Sequence, residues 1–286
     1  MRLILSRKGF DTSAGGMPSP ILPDGRMISL PIPDKQSPIR YADISINGEN
    51  IAPLVSNFTR GRVKPHYGTH LDPDLSTGNL PRIAGWRPIF GQTGAAQGHL
   101  CKNGVQKGDL FLFFGLFRRA TLTSGKYSLL KGSPLIHAVW GWLQIGEILP
   151  VDSSKKLLPA WAGYHPHCYR GPEDNNVLYV SSNRLSLGQV VLEDCSGAGI
   201  FPNFSAKRQL TAPSAPNPSL WELPEWFFPQ DGRRLLTYHA DLERWRRMEH
   251  RTELRTAARG QEFILDCDEY PEAHSWLSSM LSGPEK

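Results

Sequence analysis

Cysteine is scarce in this 286-residue chain: there are four, Cys101, Cys168, Cys195 and Cys267. None has a partner at the two-residue spacing of a zinc ribbon or redox dithiol, so the scatter points to reduced thiols in a cytoplasmic protein. Long hydrophobic runs are missing too, and nothing approaches the roughly 20 apolar residues that cross a bilayer. The apolar start, Met1 to Leu5, is broken by Arg2 and followed at once by Ser6-Arg7-Lys8-Gly9, too short for a signal-peptide core. The expectation is a soluble, unprocessed chain with no membrane partner. There is no internal repeat, no low-complexity tract, and no phosphate loop or dinucleotide fingerprint at the required spacing.

Turn formers, by contrast, are plentiful, with 27 Gly and 24 Pro, while 40% hydrophobic and 21% charged residues are ordinary for a globular protein. That mixture favours a strand-rich α+β fold, read as a single domain over 1–286, above a helical bundle. A net charge of +5 and a pI near 9.0 lean towards an anionic partner, nucleic acid or nucleotide.

Chemistry concentrates in His66-Tyr67-Gly68-Thr69-His70-Leu71-Asp72-Pro73-Asp74. Imidazole and carboxylate are the ligands that iron, zinc and manganese accept, and the Gly and Pro suit a loop. The alternative is a polar surface loop whose acids cap a turn. Tyr164-His165-Pro166-His167-Cys168 offers two more imidazoles, which project in similar directions if the backbone is extended. His165 and His167 thus complete a metal set with His70 and Asp72, or are polar turn residues.

Other segments read as ligand-binding surfaces. A first strand over 2–6 opens into Arg7-Lys8-Gly9 and the small-residue stretch ending Gly15-Gly16, an anion cradle or a plain turn. Gln92, Gln97 and His99 lie in a small-residue stretch suited to a ligand-facing turn and short helix. Pro23-Asp24-Gly25 centres a hairpin, and Asn47-Gly48-Glu49-Asn50 separates strand candidates 41–46 and 51–55. The apolar runs 110–117 and 137–149 form a paired core element, and residues 104–150 resemble the small barrel of PUA-like and EVE-type domains. A further strand is expected at 177–180. The Pro- and aromatic-rich residues 211–231 read as an ordered loop. Residues 239–259 read as a helix stopped at Gly260, with Arg244, Arg247, Arg251 and Arg255 on one face. That face either tracks phosphates or is solvated and balanced by Glu243, Glu249 and Glu253. A last strand at 262–265 and a closing helix over 271–281 complete the reading.

Several of these motifs together carry a resemblance. They are Ser6-Arg7-Lys8-Gly9-Phe10-Asp11 with Gly15-Gly16 and Pro18-Ser19-Pro20-Ile21, His70-Leu71-Asp72-Pro73-Asp74-Leu75, Gly91-Gln92 with Ala95-Ala96-Gln97 and His99-Leu100, Gly108-Asp109 with the run to Gly115, and His165-Pro166-His167 with Asn175-Asn176. From Ser6 to about Trp276 the chain resembles the third nucleotide modification associated domain family. The resemblance implies an α+β domain found near enzymes of base modification, associated with them, and engaged in making or handling altered nucleobases. It assigns no catalytic set.

Two functions of different class follow. One is an enzyme of nucleobase hypermodification, its divalent metal, iron by the His-x-Asp pattern, held by His70 and Asp72 with His66, Asp74, His165 or His167. In it Arg7, Lys8, Gly15 and Gly16 hold a phosphate, Gln92 and Gln97 face the base, and Asp11, Asp74 or His99 move protons. The other is a non-catalytic module that recognises a modified or flipped base in a PUA-like pocket. A free nucleotide as substrate is a third possibility, which needs no Arg244–Arg247–Arg251 surface.

Overall fold

The computed structural model describes residues 1–151, 158–171, 175–188, 190–230, 232–257 and 262–281. Its frame is a nine-stranded sheet of β1 (Arg2–Arg7), β2 (Ser19–Ile21), β3 (Ile89–Gln92), β4 (Leu110–Thr123), β5 (Lys126–Leu129), β6 (Ile136–Pro150), β7 (Val177–Ser181), β8 (Ala198–Ile200) and β9 (Glu262–Asp266). Hydrogen-bonded neighbours run β9-β1-β4-β6-β7-β3, with β2 and β5 joined to β4 and β8 joined to β6. Three helices, α1 (Ala52–Phe58), α2 (Gly94–Lys102) and α3 (Glu272–Leu281), flank it. None of the described helices is long and apolar enough to cross a membrane.

The apolar runs become the centre of the sheet for a physical reason. Leu110 to Phe117 are buried without alternation, as a strand covered on both faces demands. On one face Phe111 and Phe113 pack with Phe90 and Tyr179; on the other Phe114 meets Trp221, His137 and Phe263. β4 and β6 pair, as expected from sequence, and run antiparallel, while β1 and β2 both join β4 in parallel. No closed barrel forms among the described residues: β3 and β9 end an open sheet, so the α+β class holds and the PUA-like closure over 104–150 does not.

Two local expectations give way. Residues 51–55 lie at the start of α1, not in a strand, because Pro53 suits a first helical turn and Ala52, Val55 and Phe58 bury one face at three-residue spacing. The basic segment 239–259 is not a helix. Trp245–Met248 and Arg251–Arg255 pair as antiparallel strands, and Arg251–Arg255 also pairs with Leu220–Pro224. Buried Thr252 and Leu254 alternate with exposed Arg251 and Arg255 and half-buried Glu253, so period two wins over the three- and four-residue spacing of surface arginines. His250, at φ 60°, makes the turn. Residues 258–260, including the expected stop at Gly260, lie outside the described residues. Part of the expected 211–231 loop is likewise the strand Leu220–Pro224, whose Trp221 anchors this small sheet to the large one.

Candidate metal centre

The sheet's edge at β3 builds a cluster around Asp72. Thr69–His70 pairs with Ile32–Pro33 in the register Ile32↔His70, which sets Asp34 beside the His70 ring. Asp74 and Ile89 then exchange backbone hydrogen bonds, laying residues 72–74 along β3. From the other side β7 pairs with β3, placing Asn176, the residue just before β7, near the His165-Pro166-His167 turn. That turn is a short 3-10 segment, Pro166–Tyr169, capped by His165, so the two imidazoles converge by curling rather than by extension.

The two oxygens of Asp72 have different neighbours. Oδ1 accepts the Gly91 backbone N–H at 2.8 Å and lies 3.2 Å from His165 Nε2. Oδ2 lies 3.5 Å from His70 Nε2 and 3.5 Å from His167 Nε2. Gly91 is required here, since a Cβ at that position would collide with the His167 ring.

The far nitrogens of the rings decide which nitrogen faces the cluster. His70 Nδ1 contacts Asp34 Oδ2 at 2.9 Å, so it donates to that carboxylate. His167 Nδ1 contacts Asn176 Oδ1 at 2.7 Å, and the amide's orientation is set because its Nδ2 donates to the His167 carbonyl at 2.9 Å. Both rings therefore turn Nε2 to Asp72 Oδ2. His165 is the opposite case. Its Nδ1 accepts the His167 backbone N–H at 3.3 Å, which places its proton on Nε2, directed towards Asp72 although off the line of a good hydrogen bond.

Electrostatics follow from this packing. Burial would raise the Asp72 carboxyl, but the contacts of His165, His167 and His70 outweigh it and hold it well below the usual carboxylate range. Burial likewise opposes charge on His70, yet Asp34 and Asp72 prevail and raise it to about 9. Burial lowers His165, and the hydrogen bond from His70 lowers Asp34.

The donor set fits a divalent cation. One ligand atom each from His70, Asp72 and His167 lie within 4.8 Å of one another. Ligands about 2.0–2.2 Å from one ion stand roughly 3.0–3.5 Å apart, the size of the two Nε2–Oδ2 separations. Side chains of His167 and Asp72 are almost fully buried, whereas those of His70 and Asp34 are partly exposed, so the cluster opens on the His70 side.

The other singled-out residues lie elsewhere. Asp74 is fully buried and engaged by Arg82 at 2.7 and 2.8 Å, by Asn79 at 3.1 Å and by the Tyr164 hydroxyl at 2.6 Å. His66 is exposed against Tyr67. Asp11 caps its own turn through Ser13 and Ala14, and Gly15 and Gly16 complete that turn at positive φ. Arg7 is half-buried at the end of β1, whereas Lys8 and Gln92 converge on buried Glu262, at 3.0 and 2.5 Å. Gln97 is buried against Tyr179, and His99 contacts Thr237 and Tyr238. Arg247 and Arg251 sit on the small sheet near Glu225 and Glu222, and Arg244 ends the 3-10 turn before it, near Asp241.

Compared with known protein families, residues 2–266 match nucleotide modification associated domain 3. The chain belongs to this family. Membership ties it to nucleotide modification, and it covers the whole sheet and the Asp72 cluster. No curated protein and no solved structure matches the chain.

Proposed function

We propose that this nucleotide modification associated domain 3 protein is an enzyme that modifies a nucleobase, in nucleic acid or as a nucleotide. In this reading a divalent metal, iron(II) by its ligand set, is held by His70, Asp72 and His167. One observation carries the reading: Asp72 Oδ1 is occupied by Gly91 N–H and His165, while Oδ2 is left to the two imidazoles whose far nitrogens are tied to Asp34 and Asn176. Carboxylate and amide partners of this kind fix ring orientation and raise ligand basicity.

A bound ion would supply a Lewis acid and redox centre. The chain's own residues do the rest. Asp34 and Asn176 hold the rings of His70 and His167, Gly91 and His165 hold Asp72, and the partly exposed His70 side admits the reacting group. His165 carries its proton on Nε2 and is a positioning residue, not a ligand.

The test is to incubate the iron-loaded protein with DNA and, separately, with deoxynucleoside triphosphates, then digest to nucleosides and weigh them by mass spectrometry. A new nucleoside mass, absent with Asp72→Ala, is expected. Full metal occupancy with no mass change in either substrate, across added oxygen and oxo-acid cosubstrates, overturns the enzymatic reading.

A further inference from the structure

The 27 acidic residues of this chain are spread unevenly. None falls in 110–146 or in 195–221, which between them hold Arg118, Arg119, Lys126, Lys131, Lys207 and Arg208. The fold packs these two segments together: Gly141 pairs with Ile200, the Leu210 N–H donates to the His137 carbonyl, and Ala138 bridges to Gln209. Between them lies a cavity of about 200 Å³, with Arg119, Pro134, Phe204, Gln209 and Thr211 among its walls and no carboxylate.

Register decides which cations share a face. β4 and β5 pair Thr121↔Ser128 and Thr123↔Lys126. Directly opposed residues project to one side of a hairpin, as do residues two apart on a strand. Arg119, Thr121, Thr123, Lys126 and Ser128 therefore share one face, while Ala120 and Tyr127 turn to the other, where Tyr127 stacks on Phe58 of α1. The Arg119 guanidinium lies 5.4 Å over the Phe204 ring at the cavity, and Lys131 stands in the turn that brings Pro134 to the same cavity. Arg119, Lys126 and Lys131 are exposed and form no ion pair among the described residues. Phe204 also donates its N–H to the Gly25 carbonyl, and the acid of that adjoining turn, Asp24, is taken by Arg26 at 2.7 Å. The Arg244, Arg247 and Arg251 surface differs, because each of those cations faces a carboxylate.

We propose that the hairpin face and the Arg119 cavity dock the phosphodiester backbone of nucleic acid, with one phosphate under Arg119 and others along the hairpin to Lys126. Spacing favours a polymer over a small anion. Arg119 and Thr123, which Lys126 opposes, are four residues apart, about 13 Å at the rise of a strand. A single phosphate reaches one of these cations; a strand that repeats its charge about every 3.4 Å of helix axis reaches both. The hydroxyls of Thr121, Thr123 and Ser128 on the same face suit phosphate oxygens. The surface also adjoins the segment that carries Asp72: Phe201 borders a small cleft with Leu71, Pro73 and Leu75, and the Arg208 guanidinium stacks on the same ring at 4.3 Å. This docking surface rests on the nucleotide-modification reading above and deepens it by naming the polymer as the substrate.

The test is fluorescence anisotropy of labelled DNA, duplex and single-stranded, titrated with the full chain across a series of salt concentrations. Salt-dependent binding of at least one form is expected. Arg119→Gln, Lys126→Gln and Lys131→Gln together should weaken it about 10–100-fold and lower the slope of log affinity against log salt by about 2–3, close to one per lost phosphate contact. The same exchange at Arg244, Arg247 and Arg251 should change neither, and both triple variants should keep their metal content and unfolding midpoint. Arg119→Lys alone keeps the charge and should keep the slope. Absence of binding to both forms, an unchanged slope in the first triple variant, an equal loss in the second, an oligoglutamate bound as tightly as DNA, or displacement of DNA by inorganic phosphate at equal phosphate concentration overturns the proposal. DNA bound as expected with no new nucleoside mass refutes the enzymatic reading alone, whereas a modified free nucleotide without DNA binding refutes the docking surface alone.

Discussion

Asp72 and Asp74 are two residues apart on one segment, both with buried carboxylates, and held by opposite kinds of partner. Asp74 is matched to the fixed charge of Arg82 and to Asn79 and Tyr164, with the Trp86 indole donating to the same hydroxyl at 2.8 Å. Arg82 stacks over Trp86 at 3.9 Å, so every member of this group is oriented by another. Asp72 is surrounded instead by three imidazoles, groups that exchange a proton for a metal ion. A permanently charged guanidinium makes a clasp that ties 72–82 to the Tyr164 turn. Imidazoles on the same carboxylate make a centre that the clasp holds in place.

The comparison breaks most visibly in stability. Asp74→Ala leaves the half-buried Arg82 and Tyr164 without their carboxylate, Arg82 keeping only the Ser76 and Thr77 carbonyls, and should cost about 3 kcal/mol, read from urea unfolding, because removing one partner of a largely buried pair strands the other charge. A loss below about 1 kcal/mol would show that the clasp is ornamental. Asp34→Ala and Asn176→Ala act on the other side, loosening His70 and His167 without touching the ligands. Each should weaken metal affinity by about 10–100-fold in a competitive chelator titration; Asp34→Ala should leave the unfolding midpoint little changed, whereas Asn176→Ala, which also removes two buried hydrogen bonds to His167, should cost about 1–3 kcal/mol besides. Unchanged affinity in both would remove the reason for calling these rings oriented.

Acid must not be allowed to mimic loss of the centre, and two remote histidines supply the control. Burial, with Arg7 adding to it, lowers His137 to about 3, and burial lowers His239 to about 4. Trp221 Nε1 donates to His137 Nδ1, and the Ala257 N–H donates to His239 Nε2, so both rings are neutral in the fold. Their unfolded value is 6.5, so the unfolded chain takes up protons first. The stability they contribute is complete above pH 6.5 and falls as pH drops towards 4. Between pH 6.5 and 5, His137 alone should account for about 1–2 kcal/mol. His137→Gln should flatten that slope in urea midpoints measured across the window, and an unchanged slope would refute the assignment. Smallest of all, neutralising Arg244, Arg247 and Arg251 together should shift unfolding by less than about 1 kcal/mol, since each faces a glutamate or aspartate at the surface.

How much of this was legible beforehand follows from what each residue depends on. The long apolar runs, the strands at β1, β7 and β9 and the closing helix α3 are local patterns and read directly. His70-x-Asp72 and His165-Pro166-His167 stand out on residue type alone, and the fold brings the two motifs together. Asp34 did not, since its role exists only in the register Ile32↔His70. Asn176 stood in a recognised motif, but its task is set by where β7 meets β3. The clearest lesson is Gly91-Gln92. Sequence draws attention to the glutamine amide, yet that side chain goes to Glu262, while the neighbouring glycine supplies the backbone N–H that holds Asp72.

The most direct measurement is metal content by elemental analysis of protein purified without chelator, for the unaltered chain, for His70→Ala, Asp72→Ala and His167→Ala, and for Asp74→Asn as the clasp control. The account predicts about one transition-metal ion per chain, lost in the first three variants and retained in the folded fraction of Asp74→Asn. Metal-free protein that takes up no iron, manganese or zinc on anaerobic loading would contradict it, as would metal kept equally by all four variants.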